Sequence, residues 1–227
     1  MRIDLHVHTT FSFDCWMSPE AVIRAVQRNK KVEAIAVLDH DEIEGALRLA
    51  EMAPFPVIVG EEVVAREGEV AGLFLRERVP PGLSLGETVA RIKEQGGLVY
   101  ATHPLARDAP KGIGQEGLES IIDKTDIIEA FNARIRHKSD NEGAKEIAQR
   151  HAIAIAAGSD AHFPWEVGRA GIEIAPFSTP QEFLENLRRA QIFGQRSPYI
   201  FAGLTYIIWC AHRFLSGYRR ASNNASI

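Results

Sequence analysis

At 227 residues, with 45% hydrophobic and 25% charged residues, the chain can bury one sizeable core and is too apolar to be broadly disordered. A formal net charge of -4 gives no general attraction for nucleic acid, so any polyanion must be held by a local patch or by metal ions. Two cysteines, Cys15 and Cys210, are too few for a disulfide framework or a zinc ribbon; with no charged-then-apolar leader after Met1, a reducing cytoplasm is the expected setting.

Short apolar runs alternate with longer amphipathic stretches, the rhythm of an α/β domain. Residues 3–6 read as a buried strand, and Ser18-Pro19-Glu20 then opens a helix, with serine as N-cap and proline at the first helical position. Residues 34–38 and 57–59 are the next two strands, and 63–75, broken by Arg66-Glu67-Gly68-Glu69, reads as an inserted hairpin. A helix over 84–95, stopped by Gly96-Gly97, leads to strand 98–101; strand 127–130, helix 139–150 and strand 153–156 follow. Strand 171–174 and a helix over 179–190, again with a Thr-Pro start, complete roughly seven β/α units with no internal repeat. The expected organisation is a barrel domain over 1–198 and a C-terminal apolar helix with a polar tail over 199–227, packed on the barrel.

Polar residues collect where these strands end. His6 and His8 follow the first strand, Asp39 and His40 the second, Glu61 and Glu62 the third, His103 the fourth, Glu129 and Asn132 the fifth, Asp160 and His162 the sixth. In an α/β barrel these ends share one rim, where ligands gather. Strand alternation sends His6 and His8 to one side, and Asp160 and His162 likewise. Either pair alone is equally well explained by strand-end or capping roles, but five of the eight histidines stand at strand ends beside carboxylates, which coincidence explains poorly. Imidazole and carboxylate without thiolate suit Mn²⁺, Zn²⁺ or Fe²⁺ rather than an oxygen-bound Ca²⁺. Carboxylates can bridge ions about 3.5–4 Å apart, which activate water and so remove the need for a side-chain nucleophile. Ser12 and Cys15 lie nearby in sequence, but neither has a recognisable base and orienting partner.

Six motifs in order, Asp4-Leu5-His6-Val7-His8-Thr9, Leu38-Asp39-His40-Asp41, Gly60-Glu61-Glu62, Thr102-His103-Pro104, Ile128-Glu129-Ala130-Phe131-Asn132 and Gly158-Ser159-Asp160-Ala161-His162, together resemble the polymerase and histidinol phosphatase (PHP) domain family over about residues 1–198. The resemblance implies a distorted seven-stranded (β/α)7 barrel, a site at the C-terminal ends of the strands, two or three divalent ions and phosphoesterase activity. It implies that His6, His8, Glu62 and Asp160 hold one ion and that Asp14, His40 and His162 hold another. Glu62 would bridge to a middle ion that His103 helps to bind. Many members carry a further histidine on the hairpin after that glutamate; here the stretch reads Gly68-Glu69-Val70-Ala71-Gly72, and Ala71 cannot ligate. The middle ion is then weaker, or completed by His103, water and substrate.

For phosphate, Arg107, Lys111, Arg134 and Arg169 follow ligand-bearing strand ends, and Arg134, with its planar fork, is the best clamp. Asp39 or Asp41 is expected to orient the His40 imidazole, and Glu129 to anchor a histidine. Asn132 serves either a strand-end backbone bond or the site. The resulting expectation is hydrolysis of a small phosphomonoester (a sugar, amino-alcohol or nucleotide phosphate) by metal-activated water, with His103 or a bound water protonating the leaving group. The rivals are a nuclease trimming short oligonucleotides and a non-catalytic metal-binding interaction module. Residues 199–215 are rich in large apolar side chains but are interrupted by His212-Arg213. They suit a helix covering the bottom or side of the barrel, or a homodimer or membrane-surface contact, rather than a membrane span.

Overall fold

The computed structural model describes residues 1–107, 112–201, 203–205, 207 and 210. Its elements follow in chain order: β1 (Arg2–Val7), α1 (Pro19–Asn29), β2 (Ala34–Val37), α2 (Glu44–Met52), β3 (Val57–Val64), β4 (Glu69–Leu73), α3 (Leu85–Glu94) and β5 (Leu98–Ala101). Then come α4 (Gly114–Ile121), β6 (Ile127–Asn132), α5 (Lys138–Arg150), β7 (Ala154–Gly158), β8 (Ala170–Glu173), α6 (Pro180–Leu187) and β9 (Gln191–Gly194).

All the expected strands form, yet the sheet is not the expected seven-stranded (β/α)7 barrel. It has nine strands in the order β7-β6-β5-β4-β3-β2-β1-β8-β9. The two additions are β4 and β9. Only the four residues 65–68 separate β3 from β4, too few for a parallel crossover, so β4 pairs antiparallel with β3 and in turn with β5. The strand expected over 171–174 also turns out antiparallel, through β8 against β1, and β9 then pairs antiparallel with β8. The true β/α rhythm survives in the parallel pairs β1 with β2, β2 with β3, β5 with β6 and β6 with β7.

The sheet curls back on itself. Just after β7, Ala161 bridges in parallel to Val7; the His8 amide donates to the Ala161 carbonyl at 3.0 Å, and the Ala161 amide to the His6 carbonyl at 3.2 Å. Alternation then divides the apolar residues into layers. Ile3, Leu5, Ala34, Ala36, Leu38, Ala71, Tyr100, Ala154 and Ala156 fill one buried cluster. Ile35 and Val37, from the opposite face of β2, pack instead with Val22 and Val26 of α1 and Leu49 of α2. Alanines beside larger residues let facing strands approach closely in the interior.

Capping marks three of the four helices that were legible, α5 being recognised without a side-chain cap. Ser18, Ser84 and Thr179 each accept a backbone amide at the start of α1, α3 and α6, and Ser84 with Glu87 forms a capping box. The unanticipated helices α2 and α4 start after Ile43 and Ile113, which offer no side-chain cap. Toward the C-terminus the described residues from Ile200 onward are helical, and Ile200, Leu204 and Ile207 are exposed. Thr205 meets Arg134 beyond the end of β6, so this segment touches the ligand rim rather than the bottom of the barrel. Tyr206, Trp209, His212, Arg213, Phe214 and Lys111 lie outside the described residues. No helix among the described residues is long and apolar enough to cross a membrane.

Candidate metal centre

His6 and His8 bring their Nε2 atoms to within 3.1 Å of one another. Their other ring nitrogens are fixed by oxygens. His6 Nδ1 lies 3.1 Å from Glu129 Oε1, a carboxylate acceptor. His8 Nδ1 lies 3.1 Å from Ser12 Oγ, whose own proton goes to Asp39 Oδ1 at 3.1 Å, so the hydroxyl accepts from His8. Both Nδ1 atoms therefore carry hydrogen, and two bare Nε2 lone pairs face each other. Only a cation, proton or metal, reconciles that geometry.

Glu62 stands at the middle. Its Oε2 is 3.4 Å from His6 Nε2, 3.7 Å from His8 Nε2 and 3.5 Å from His40 Nδ1. Its Oε1 is 3.1 Å from His103 Nε2 and accepts from the Thr102 hydroxyl. Glu61, its neighbour, turns the other way and accepts from the Val79 amide at 2.7 Å. Asp160 Oδ1 closes the group at 3.4 Å from His8 Nε2 and 4.0 Å from His6 Nε2. A second group converges on Asp14, whose Oδ2 is 3.1 Å from His162 Nε2 and 3.5 Å from His40 Nε2. His162 repeats the pattern of His6, since its Nδ1 is 2.9 Å from the Asp160 carbonyl and its Nε2 is left for the cavity. All eight residues expected to ligate thus come together.

Electrostatics show what the centre lacks. Burial, reinforced by His162, His40 and His6, lowers the His8 pKa to about 3 and keeps that ring neutral. Burial also opposes charge on His40, but Asp14, Glu69 and Glu62 outweigh it and raise its pKa to about 10; Glu62 likewise raises His103 to about 9. Despite this crowd of donors, Glu62 Oε2, Asp14 Oδ1, His40 Nδ1 and His103 Nδ1 are buried without a hydrogen-bond partner. Unsatisfied buried charge is costly. Divalent cations would satisfy these atoms, and the donor set fits them: His6, His8 and Asp160 form one triad, His6, Glu62 and His103 a second, and His8, Asp14, His40 and His162 a tetrad.

Surrounding residues hold the donors in place. Glu129 receives His6 Nδ1, the Tyr100 hydroxyl, the His103 amide and the Asn132 side chain, so it anchors a histidine as expected. Asn132 also reaches Asp160 Oδ2 at 3.2 Å, which favours its site role. The role expected of Asp39 or Asp41 is corrected. Asp39 spends both oxygens on Thr9 and Ser12, and Asp41 Oδ1 accepts from the Val64 amide, so neither orients the His40 imidazole. Asp39 instead supports His8 through Ser12, a link that nothing in the sequence signalled. His103 and Asp160 have φ of 29° and 54°, left-handed conformations unusual for non-glycine residues, which Lys30, Asp41, Phe74 and Ala152 adopt outside the donor set.

Of the expected phosphate contacts, Arg107 is engaged by Asp140 and Ser139, and Arg169 donates to the Arg196 carbonyl. Among the described residues of this set, Arg134 alone reaches the centre. It donates to the Asp160 carbonyl at 3.3 Å and the Thr205 hydroxyl at 2.8 Å, and lies 3.8 Å from Glu166, which also accepts the His162 amide.

Comparison with known proteins agrees with this geometry. The PHP-associated family matches residues 138–192, from α5 to β9, a stretch that includes Asp160 and His162. Two uncharacterised proteins of Methanocaldococcus jannaschii are similar: MJ0417 is 33% identical over 83% of this chain and 79% of its own length, and MJ1587 is 34% identical over 66% and 95%. PsfC from Pseudomonas syringae superposes with a TM-score of 0.66 at 18% identity, covering 92% of this chain and 98% of its own. A two-domain protein of Bacteroides vulgatus containing a predicted PHP-like metal-dependent phosphoesterase gives 0.65 at 18% identity over 86% of this chain, which spans 65% of that protein. An amidohydrolase from Chromobacterium violaceum gives 0.62 at 20% identity, over 86% and 98%. At such identities these structures share the fold.

Proposed function

Because this chain belongs to the PHP domain family, we propose that it is a metal-dependent phosphoesterase that hydrolyses a small phosphomonoester. The observation that carries the reading is Glu62 Oε2, buried without a hydrogen-bond partner among His6, His8 and His40. In this reading His6, His8, Glu62 and Asp160 hold one divalent ion and Asp14, His40 and His162 another, while Glu62 and His103 serve a middle one. Bound Mn²⁺, Zn²⁺ or Fe²⁺ would supply Lewis acidity, lowering the pKa of an adjacent water and neutralising charge on the phosphate. The protein's own residues supply the rest. Glu129 and the Ser12–Asp39 pair fix the tautomers of His6 and His8, so their Nε2 lone pairs stay available. Arg134, held at the rim by the Asp160 carbonyl and Thr205, offers its fork to phosphate oxygens. Where the middle ion is not bound, His103, which burial resists but Glu62 favours in its protonated form, is suited to give a proton to the departing alkoxide.

One observation favours the oligonucleotide reading as a second choice. Next to His162 in the chain, Phe163 stacks on Trp165 with ring centroids 5.0 Å apart, and Trp165 is exposed, a surface on which a base can stack.

A panel of phosphomonoesters and short oligonucleotides, offered to Mn²⁺-loaded protein, tests both. Glu62→Gln keeps the volume but removes the central charge, and it should lower kcat by about a hundredfold, equivalent to about 2.7 kcal/mol of lost transition-state stabilisation. Arg134→Ala should raise KM with metal content unchanged. If metal-loaded wild type cleaves nothing in the panel, the enzyme reading gives way to that of a metal-binding interaction module.

A further inference from the structure

His40 differs from the other imidazoles of the centre. His6, His8 and His162 each give Nδ1 to an oxygen acceptor and keep Nε2 for the cavity, whereas His40 Nδ1 makes no hydrogen bond and its Nε2 faces Asp14. On its Nδ1 side lie Glu62 Oε2 at 3.5 Å and Glu69 Oε1 at 3.4 Å. His40 Nδ1 and Glu62 Oε2 have no hydrogen-bond partner, and the side chains of His40 and Glu62 are 9% and 1% exposed. Such spacing without hydrogen bonding leaves room for one shared ion. Donors about 2.1 Å from a shared cation, at angles between octahedral and tetrahedral, stand roughly 3.0–3.4 Å from each other.

Glu69 reaches this point from the hairpin. It opens β4 opposite Val64, two residues before Ala71, which pairs with Glu62. Residues 69 and 71 lie on one face of the strand, so a side chain at 69 can extend toward the ion that Ala71 cannot hold. Glu69 is 5% exposed, so its carboxylate lies inside the centre rather than in solvent.

We propose that Glu69 is a metal ligand, forming with Glu62 and His40 Nδ1 a cation subsite richer in oxygen than the rest of the centre. The inference rests on the metal-centre reading above and adds a residue to it. Two carboxylates and one imidazole make a harder donor set than the imidazole-rich groups beside it, so this subsite should discriminate less strongly in favour of Zn²⁺ over Mn²⁺ than its neighbours do. A neutral imidazole has one lone pair, so His40 bound here moves away from the neighbouring ion and leaves Asp14 and His162 to hold it.

The test counts ions rather than turnover. Wild type, Glu69→Gln and Glu69→His are stripped, titrated with Mn²⁺ while free ion is followed by its EPR signal, and assayed for bound metal by mass spectrometry. Glu69→Gln should bind one Mn²⁺ fewer than wild type, or hold its weakest ion at least tenfold less tightly, with the remaining ions unaffected. Glu69→His should retain that ion and shift its preference toward Zn²⁺ by about tenfold. A glutamine still accepts a hydrogen bond from His40, so unchanged stoichiometry and affinity in Glu69→Gln would reduce Glu69 to a hydrogen-bonding neighbour and overturn the proposal. If Glu69→Gln does not fold, Glu69→His decides: wild-type selectivity between Zn²⁺ and Mn²⁺ overturns the proposal, and a Zn²⁺ shift supports it. Wild type binding no ion would remove the metal centre itself, whereas ions bound without a Glu69 effect would remove this inference alone.

Discussion

Ser12 shows how a residue without ligand chemistry controls the donors. Its hydroxyl accepts from His8 Nδ1 and from the His40 amide while donating to Asp39, so it sets the tautomer of one imidazole and the backbone position of another. Ser12→Ala should weaken metal binding about 10–100-fold, as loss of such an outer partner generally does. Competition against a chelator of known affinity measures this, and an unchanged affinity would show that packing alone fixes His8. The raised pKa values of His40, about 10, and His103, about 9, make a second prediction at this scale. Without ions both rings are protonated at pH 7, and a ligand nitrogen must lose its proton, so metal uptake should release protons and tighten as pH rises toward 9–10. Calorimetry in buffers of different ionisation enthalpy reads that release. The metal-free fold responds with the opposite sign. A histidine pKa raised above 6.5 contributes stability that is complete below 6.5 and lost as pH climbs through 9–10, so the stripped protein should become easier to unfold across that window.

Elements position these residues through close backbone approach. A Cβ at Gly158, the last residue of β7, would stand 2.2 Å from His6 Cβ and 2.9 Å from the His6 amide nitrogen, so glycine there lets β7 close against β1. Gly158→Ala forces one strand to move, and overpacking of this kind costs about 1–3 kcal/mol. Because the displaced residue is His6, metal affinity should fall together with stability, and denaturant melts with a parallel metal titration check both. A variant that is destabilised but binds ions normally would place the strain elsewhere. The β3–β4 hairpin works similarly, since Glu62 and Glu69 sit at fixed register across it and neither can be moved without the other.

Across the whole molecule, the donors come from residues 6 to 162, so ions would tie together chain segments that are far apart in sequence. Binding to the folded state alone should stabilise by about 2.7 kcal/mol per ion at a hundredfold excess over Kd. For a chain of this size that is about 5–10 °C in Tm per ion, reversible by EDTA and visible in a thermal scan. A Tm indifferent to Mn²⁺, Zn²⁺ and EDTA would contradict the multinuclear reading. The described helical residues near the C-terminus present Ile200, Leu204 and Ile207 to solvent, a face that fits the proposed homodimer contact. Light scattering should then report a dimer in solution that dissociates on Leu204→Lys.

The sequence by itself determined the strands, the capped helices and the donors, because each leaves a local signature: an apolar run, a Ser-Pro or Thr-Pro start, a His-x-His or Asp-x-His pair at a strand end. The inserted hairpin over 63–75 was legible and forms as β3 against β4, but other strand partners depend on sheet curvature, so only the tertiary structure made β8 antiparallel and added β9. The same limit separated Asp39 from its expected role: adjacency in sequence suggested the imidazole of His40, but the buried carboxylate is closest in space to Thr9 and Ser12. Glu69 escaped notice because nothing local distinguishes it from Glu67 in the same turn. Hydrogen bonds and ion pairs form through space over a few ångströms, and only the folded hairpin brings its carboxylate to His40.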